Sequence, residues 1–177
     1  MKNKTRLTLF VLILLAALST IGLLNRHGAD SVPDPAVEAL FALRLTDTRG
    51  QEQSLVQWRG KILVVTFWAT WCPPCRKEIP DFAALSKELA GDQVQFIGLS
   101  IDDADAVREF DDRYKVPYPL LIASPEVLAL SVRFGNATQG LPYTVLIDPQ
   151  GHIRLKRLGL MQRDTLEQAI RALRPTS

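Results

Sequence analysis

Apolar positions along the chain fall into three patterns. One is continuous: Leu7 to Leu24 carries no charge, and Lys61 to Trp68 (KILVVTFW) and Val94 to Ile101 are almost wholly apolar. Lys61 to Trp68 is rich in β-branched residues, which predicts a strand buried on both faces, and Val94 to Ile101 reads as a second apolar strand. The second pattern repeats every three or four residues. Ile79, Phe82, Leu85 and Leu89 mark one helix, with Pro73 and Pro74 in its first turn, where proline is tolerated. Val107, Phe110 and Tyr114 mark the inward face of a helix over Asp102 to Tyr114, and Pro125 to Phe134 reads as another. Asp164 is the expected cap of a last helix with Leu166, Ala169, Ile170 and Leu173 on one face. The third pattern is short alternation bounded by turn residues. Phe41 to Thr46 reads as a strand ending in the turn Asp47 to Gly50, and Leu120 to Ile122 as a short strand. Tyr143 to Asp148, the turn Pro149 to Gly151 and His152 to Leu158 form a hairpin. The expected fold is α/β, a mixed central sheet flanked by helices.

The 18 residues Leu7 to Leu24 suit a helix of roughly 27 Å, close to the thickness of a bilayer's hydrocarbon core. Lys2, Lys4 and Arg6 precede them, and Asp30 and Asp34 follow. That asymmetry places the N-terminus in the cytoplasm and the remainder outside it. Residues Leu23 to His27 offer no small-x-small cleavage site, which favours an uncleaved anchor over a signal peptide. Residues 1–24 are thus read as anchor or signal, 25–36 as a Pro- and Gly-containing linker, and 37–177 as one domain. The localisation expected is the inner, cytoplasmic membrane, with the domain on the periplasmic or outer side.

Charge changes the picture only once the anchor is set aside. Four of the 21 Lys and Arg precede His27 and none of the 19 Asp and Glu does, so the rest of the chain carries −2. That balance excludes phosphate-driven binding of nucleic acid. Two cysteines exclude a multi-disulfide scaffold and a Cys-rich zinc site.

Both cysteines lie in Trp71-Cys72-Pro73-Pro74-Cys75, between a buried strand and a helix. Cysteines three apart at a helix start have Cα atoms roughly 5–6 Å apart, which a disulfide can bridge. So short a loop removes little chain entropy, so the bridge is a poor staple and a better redox pair. The helix N-terminus favours a thiolate. Cys72 is expected to be the exposed nucleophile and Cys75, one turn further, the shielded resolving thiol, with Arg76 and Lys77 adding a screened cationic field. The competing reading is a metal site, for which His27 and His152 are the available imidazoles.

FWATWCPPCRKEIPDF (residues 67–82), the Gly60-Lys61 before the first long strand and Gly140-Leu141-Pro142 before Tyr-Thr-Val-Leu-Ile-Asp resemble the TlpA/ResA branch of thioredoxin-like proteins, over about Pro35 to Arg174. The resemblance implies a thioredoxin-like sandwich with an N-terminal β-hairpin and an inserted βα unit, here Val94 to Tyr114. It implies a membrane-tethered, exported thiol–disulfide oxidoreductase, usually a reductase of protein disulfides, serving cytochrome c maturation or copper-site assembly. Electrons come in that branch from a membrane thiol transporter of the DsbD/CcdA kind, and no cofactor is implied. Pro142 matches the cis-proline that faces the disulfide, leaving the Leu141 backbone to pair with a substrate strand; an ordinary trans-proline is the alternative. Glu78 matches an acid that tunes the thiols, the alternative being a surface partner of Lys77. Thr66 departs from ordinary thioredoxins, which carry a buried Asp there.

Trp71 is expected to shape the surface around the thiols, and Trp68 to be core. The acidic run Asp102, Asp103, Asp105, Glu109, Asp111 and Asp112 reads as a solvated helix face. A peroxiredoxin needs its peroxidatic cysteine in a Thr-containing loop that this chain lacks. A copper-handling protein binding metal through the Cys pair is the alternative from another class.

Overall fold

Seven strands form one sheet in the order β2-β1-β5-β4-β3-β6-β7 in the computed structural model, which describes residues 33–91 and 93–174. The expected anchor and most of the linker lie outside the described residues. Among those described, no helix is long and apolar enough to cross a membrane.

The chain opens with α1 (Pro35–Phe41), where the Asp34 carboxylate accepts the Ala36 N–H at 2.8 Å and Pro35 fills the first turn. Pro35 and Ala36, expected in the linker, belong to this helix, and its face of Ala36, Val37, Leu40 and Phe41 is buried. Seven residues carry too little periodicity to announce a helix, so Phe41 was expected in a strand that begins at Arg44. β1 (Arg44–Asp47) and β2 (Glu52–Ser54) form the antiparallel N-terminal hairpin, followed by a 3-10 turn over Leu55–Trp58.

β3 (Ile62–Trp68) is buried at every position. It pairs in parallel with β4 (Val94–Ser100) over seven residue pairs and antiparallel with β6 (Tyr143–Ile147). β5 (Leu120–Ile122) extends the parallel part, and β7 (Ile153–Leu158) closes the other edge against β6. Val94 to Tyr114 forms β4 and α3 (Ala104–Tyr114), with β4 the middle strand of the seven.

Strand alternation splits β3 between two cores. Leu63, Val65 and Phe67 join Leu40, Phe134 and Tyr143 on the face covered by α1 and α4 (Pro125–Arg133). Ile62, Val64 and Trp68 join Ile79, Phe82, Leu85 and Phe110 on the face covered by α2 (Pro73–Glu88) and α3, with Leu166 and Ile170 of α5 (Arg163–Ala172). Burying such side chains contributes about 1.5–3 kcal/mol each, which makes these two faces the main source of stability.

Two further local expectations differ from the structure. Gln162, not Asp164, occupies the N-cap of α5, and Asp164 lies in its first turn. Buried Met161, its N–H tied to Glu78, fixes where the chain enters that helix. Tyr114, the last residue of α3, is 40% exposed rather than inward, its ring lying on Phe110 with centroids 4.4 Å apart.

Candidate active site

Cys72 is the N-cap of α2, with Pro73 and Pro74 supplying the first two helical positions. Its extended backbone (φ −87°, ψ 107°) ends β3's exit loop, which the Cys72 N–H closes on the Ala69 carbonyl at 3.2 Å. The sulfur of Cys72 accepts the Cys75 N–H at 3.3 Å, one of the donors that a helix start leaves free. The two cysteines form a disulfide, with Cα atoms 5.3 Å apart, as i,i+3 spacing on a helix start requires.

The expected contrast in exposure is absent in this state: Cys72 is 3% exposed and Cys75 0%. The bridge ties the sulfur of Cys72 to that of Cys75 one turn further on, and both cysteines pack in the cluster containing Trp68 and Ala69. The surface next to the pair comes from Trp71, which is 63% exposed, and from Pro73, while Pro74 is half-buried. Trp68 is core, as its place on β3 dictates.

Leu141 packs against the cluster that holds both cysteines, and the Leu141–Pro142 peptide is cis, with Pro142 buried. A residue absent from the sequence-based reading holds this loop. Buried Asn136 donates to the Gly140 carbonyl at 3.0 Å and to the Ser131 hydroxyl at 3.2 Å, and accepts the Gly140 N–H at 3.1 Å. Asn followed four residues later by Gly is too common a pattern to have revealed this from sequence.

Glu78, one turn beyond Cys75, is buried rather than paired with Lys77 on the surface. One carboxylate oxygen accepts the Met161 N–H at 2.7 Å and the other the Thr66 hydroxyl at 3.4 Å; Thr66 in turn accepts from Thr144 at 3.1 Å. Burial pushes its pKa up to about 7, against the opposing pull of those hydrogen bonds. A hydroxyl thus stands at position 66, and the buried acid on this side of the sheet comes from the helix.

Asp102 is a second residue that the sequence-based reading assigned elsewhere. Its carboxylate accepts both the N–H of Thr70, at 3.1 Å, and the Thr70 hydroxyl, while its other oxygen accepts the Asp103 N–H at 2.9 Å. The acid therefore ties the loop after β4 to the loop that delivers Cys72, instead of belonging to a solvated helix face. Among the described residues no group of three or more His, Cys, Asp or Glu side chains is placed to hold a metal ion. His152 lies 3.2 Å from the Asp148 carboxylate in the β6–β7 turn.

The family model described as AhpC/TSA matches residues 32–156. Over 182 aligned residues the chain is 28% identical to the thiol-disulfide oxidoreductase ResA of Geobacillus kaustophilus, covering 99% of this chain and 100% of that protein. It is 32% identical over 125 residues to the thioredoxin-like protein YneN of Bacillus subtilis, covering 68% and 70% of the two chains. Among solved structures, a thioredoxin-family thiol:disulfide interchange protein from Chlorobium tepidum superposes with a TM-score of 0.69 at 26% identity, covering 74% of this chain and 92% of that one.

Proposed function

The chain belongs to the AhpC/TSA family and is a thiol–disulfide oxidoreductase of the thioredoxin fold, and from this premise we propose that it is an exported, membrane-anchored reductase of protein disulfides. The observation that carries the disulfide-exchange part of this reading is the Cys72–Cys75 bridge at the start of α2, packed in one cluster with Leu141 before cis-Pro142 and bordered by exposed Trp71. Export and anchoring rest on the uncharged run Leu7 to Leu24 behind Lys2, Lys4 and Arg6. In the reduced protein the Cys72 thiolate attacks one sulfur of a partner disulfide. A mixed disulfide forms and one partner thiolate leaves. Cys75 then loses its proton and attacks the Cys72 sulfur, releasing the second partner thiolate, so that two electrons pass to the partner and the Cys72–Cys75 bridge is restored. Glu78, ionising near pH 7, takes up and returns a proton over the range in which thiols exchange. A membrane dithiol donor of the DsbD/CcdA kind reduces the bridge for the next cycle. The resemblance to the TlpA/ResA branch favours this direction and a role in cytochrome c maturation or copper-site assembly.

Trapping tests the assignment of roles. Cys75→Ser accumulates mixed disulfides through Cys72 on non-reducing gels of membrane extracts, and Cys72→Ser does not. Equal trapping by both variants refutes the roles. No trapping by either, with Cu(I) bound by the reduced wild-type protein, favours the copper-handling alternative. A reporter active only outside the cytoplasm, fused after Ser177, tests export: a silent reporter refutes it, and a shortened soluble product refutes the anchor.

A further inference from the structure

A cavity of about 200 Å³ opens between the first turn of α2 and α3, lined among others by Thr70, Arg76, Glu109, Phe110, Arg113 and Tyr114. It borders the loop and the first helical turn that carry the cysteines, although neither cysteine lines it. Thr70 lies two residues before Cys72, and the Arg76 N–H donates to the Cys72 carbonyl at 3.1 Å. The α3 wall is aromatic: Phe110 is buried, and the Tyr114 ring on it is 40% exposed to solvent. The charges around the cavity are mostly committed. Arg113 pairs with Glu109 at 3.0 Å and Arg108 with Asp105 at 2.7 Å, while the Asp102 carboxylate accepts from Thr70 and keeps its negative charge behind that residue. Arg76 has no acidic partner among the described residues. The cavity thus presents a guanidinium with no ion-pair partner among the described residues, an exposed aromatic face and a border on the nucleophile's own loop.

We propose that this cavity is the docking site for the substrate polypeptide next to the cysteine under attack, and that it selects an acidic side chain there: the carboxylate meets Arg76 and the apolar stem lies against Tyr114. The inference rests on the disulfide-exchange reading and adds to it a preference among substrates. A guanidinium offers a carboxylate paired N–H donors, and a partly enclosed site screens that attraction less than open surface does. Charge at such a rim acts chiefly on encounter and selectivity.

The test uses two disulfide-containing peptides identical except for Glu or Lys beside the reactive cysteine, with the full-length reduced protein in detergent. The rate constant for reduction is measured for each peptide, and their ratio cancels any change in thiol reactivity or active fraction. The wild-type protein reduces the Glu peptide roughly three- to tenfold faster than the Lys peptide, falling toward parity in high salt. Arg76→Ala brings the ratio near one and Arg76→Glu inverts it. Tyr114→Ala slows both peptides and leaves the ratio in place. A wild-type ratio of one, or a ratio that Arg76→Glu does not move, overturns the docking site while leaving disulfide exchange standing. Failure to reduce either peptide overturns the exchange reading and this inference together.

Discussion

Replacing Glu78 with Gln removes a buried carboxyl while keeping its shape, and the consequence follows from linkage. In the folded protein burial raises the pKa of Glu78 from 4.5 to about 7. An acid with a raised pKa binds its proton more tightly when folded, so its contribution is fully present below pH 4.5 and is lost as the pH rises through 7. At about 1.4 kcal/mol for each unit, the wild-type protein loses roughly 3 kcal/mol from this group across that window. Gln does not titrate, yet its carbonyl still accepts the Met161 N–H and its amide faces Thr66. Glu78→Gln therefore matches wild type near pH 4 and exceeds its stability by up to about 3 kcal/mol at pH 8. The assay is urea denaturation of the oxidised protein from pH 4 to 8.5, in which the bridged cysteines do not titrate. The quantity read is the difference between the two stability curves, which cancels contributions common to both proteins. Parallel curves would refute the reasoning, since they would mean that the folded state does not perturb Glu78. A difference that grows toward low pH would show a carboxylate held in its charged form.

Gly98→Ala introduces a Cβ 2.7 Å from Leu120 Cδ2 and 3.0 Å from Trp68 Nε1 in a strand paired on both sides. It should cost about 1–3 kcal/mol in urea unfolding, and an unchanged midpoint would place the clash elsewhere. Asp102→Ala frees both polar groups of Thr70 and should accelerate amide exchange there at a cost of about 1–3 kcal/mol. Unaltered protection of Thr70 would mean that this loop does not depend on Asp102. Asn136→Ala removes three hydrogen bonds around the turn before Pro142 and should cost about 2–3 kcal/mol, with Asn136→Asp recovering part of it. Equal stability of all three proteins would show the turn to be held by its backbone alone.

What was legible in the sequence is what short-range chemistry dictates. An unbroken apolar run made β3 a buried strand, helical spacing put Ile79, Phe82 and Leu85 inward, and i,i+3 placement at a helix start set the two cysteines at bridging distance. Each of these rests on residues within one element, where backbone geometry alone fixes who faces whom. The exposure of Cys72, the surroundings of Glu78 and the partner of Asp102 rest on other contacts. Glu78 meets the N–H of Met161, 83 positions away, and Asp102 meets Thr70 across 32 positions. Helix α1 needed the opposite core to justify its seven residues, and the cavity beside Arg76 exists because α3 lies next to the start of α2. Periodicity tells which face of an element turns inward, but which element it meets depends on how the sheet orders its strands. Burial, which moves a carboxyl's pKa and closes off a sulfur, is a property of that assembled packing and of no single stretch of chain.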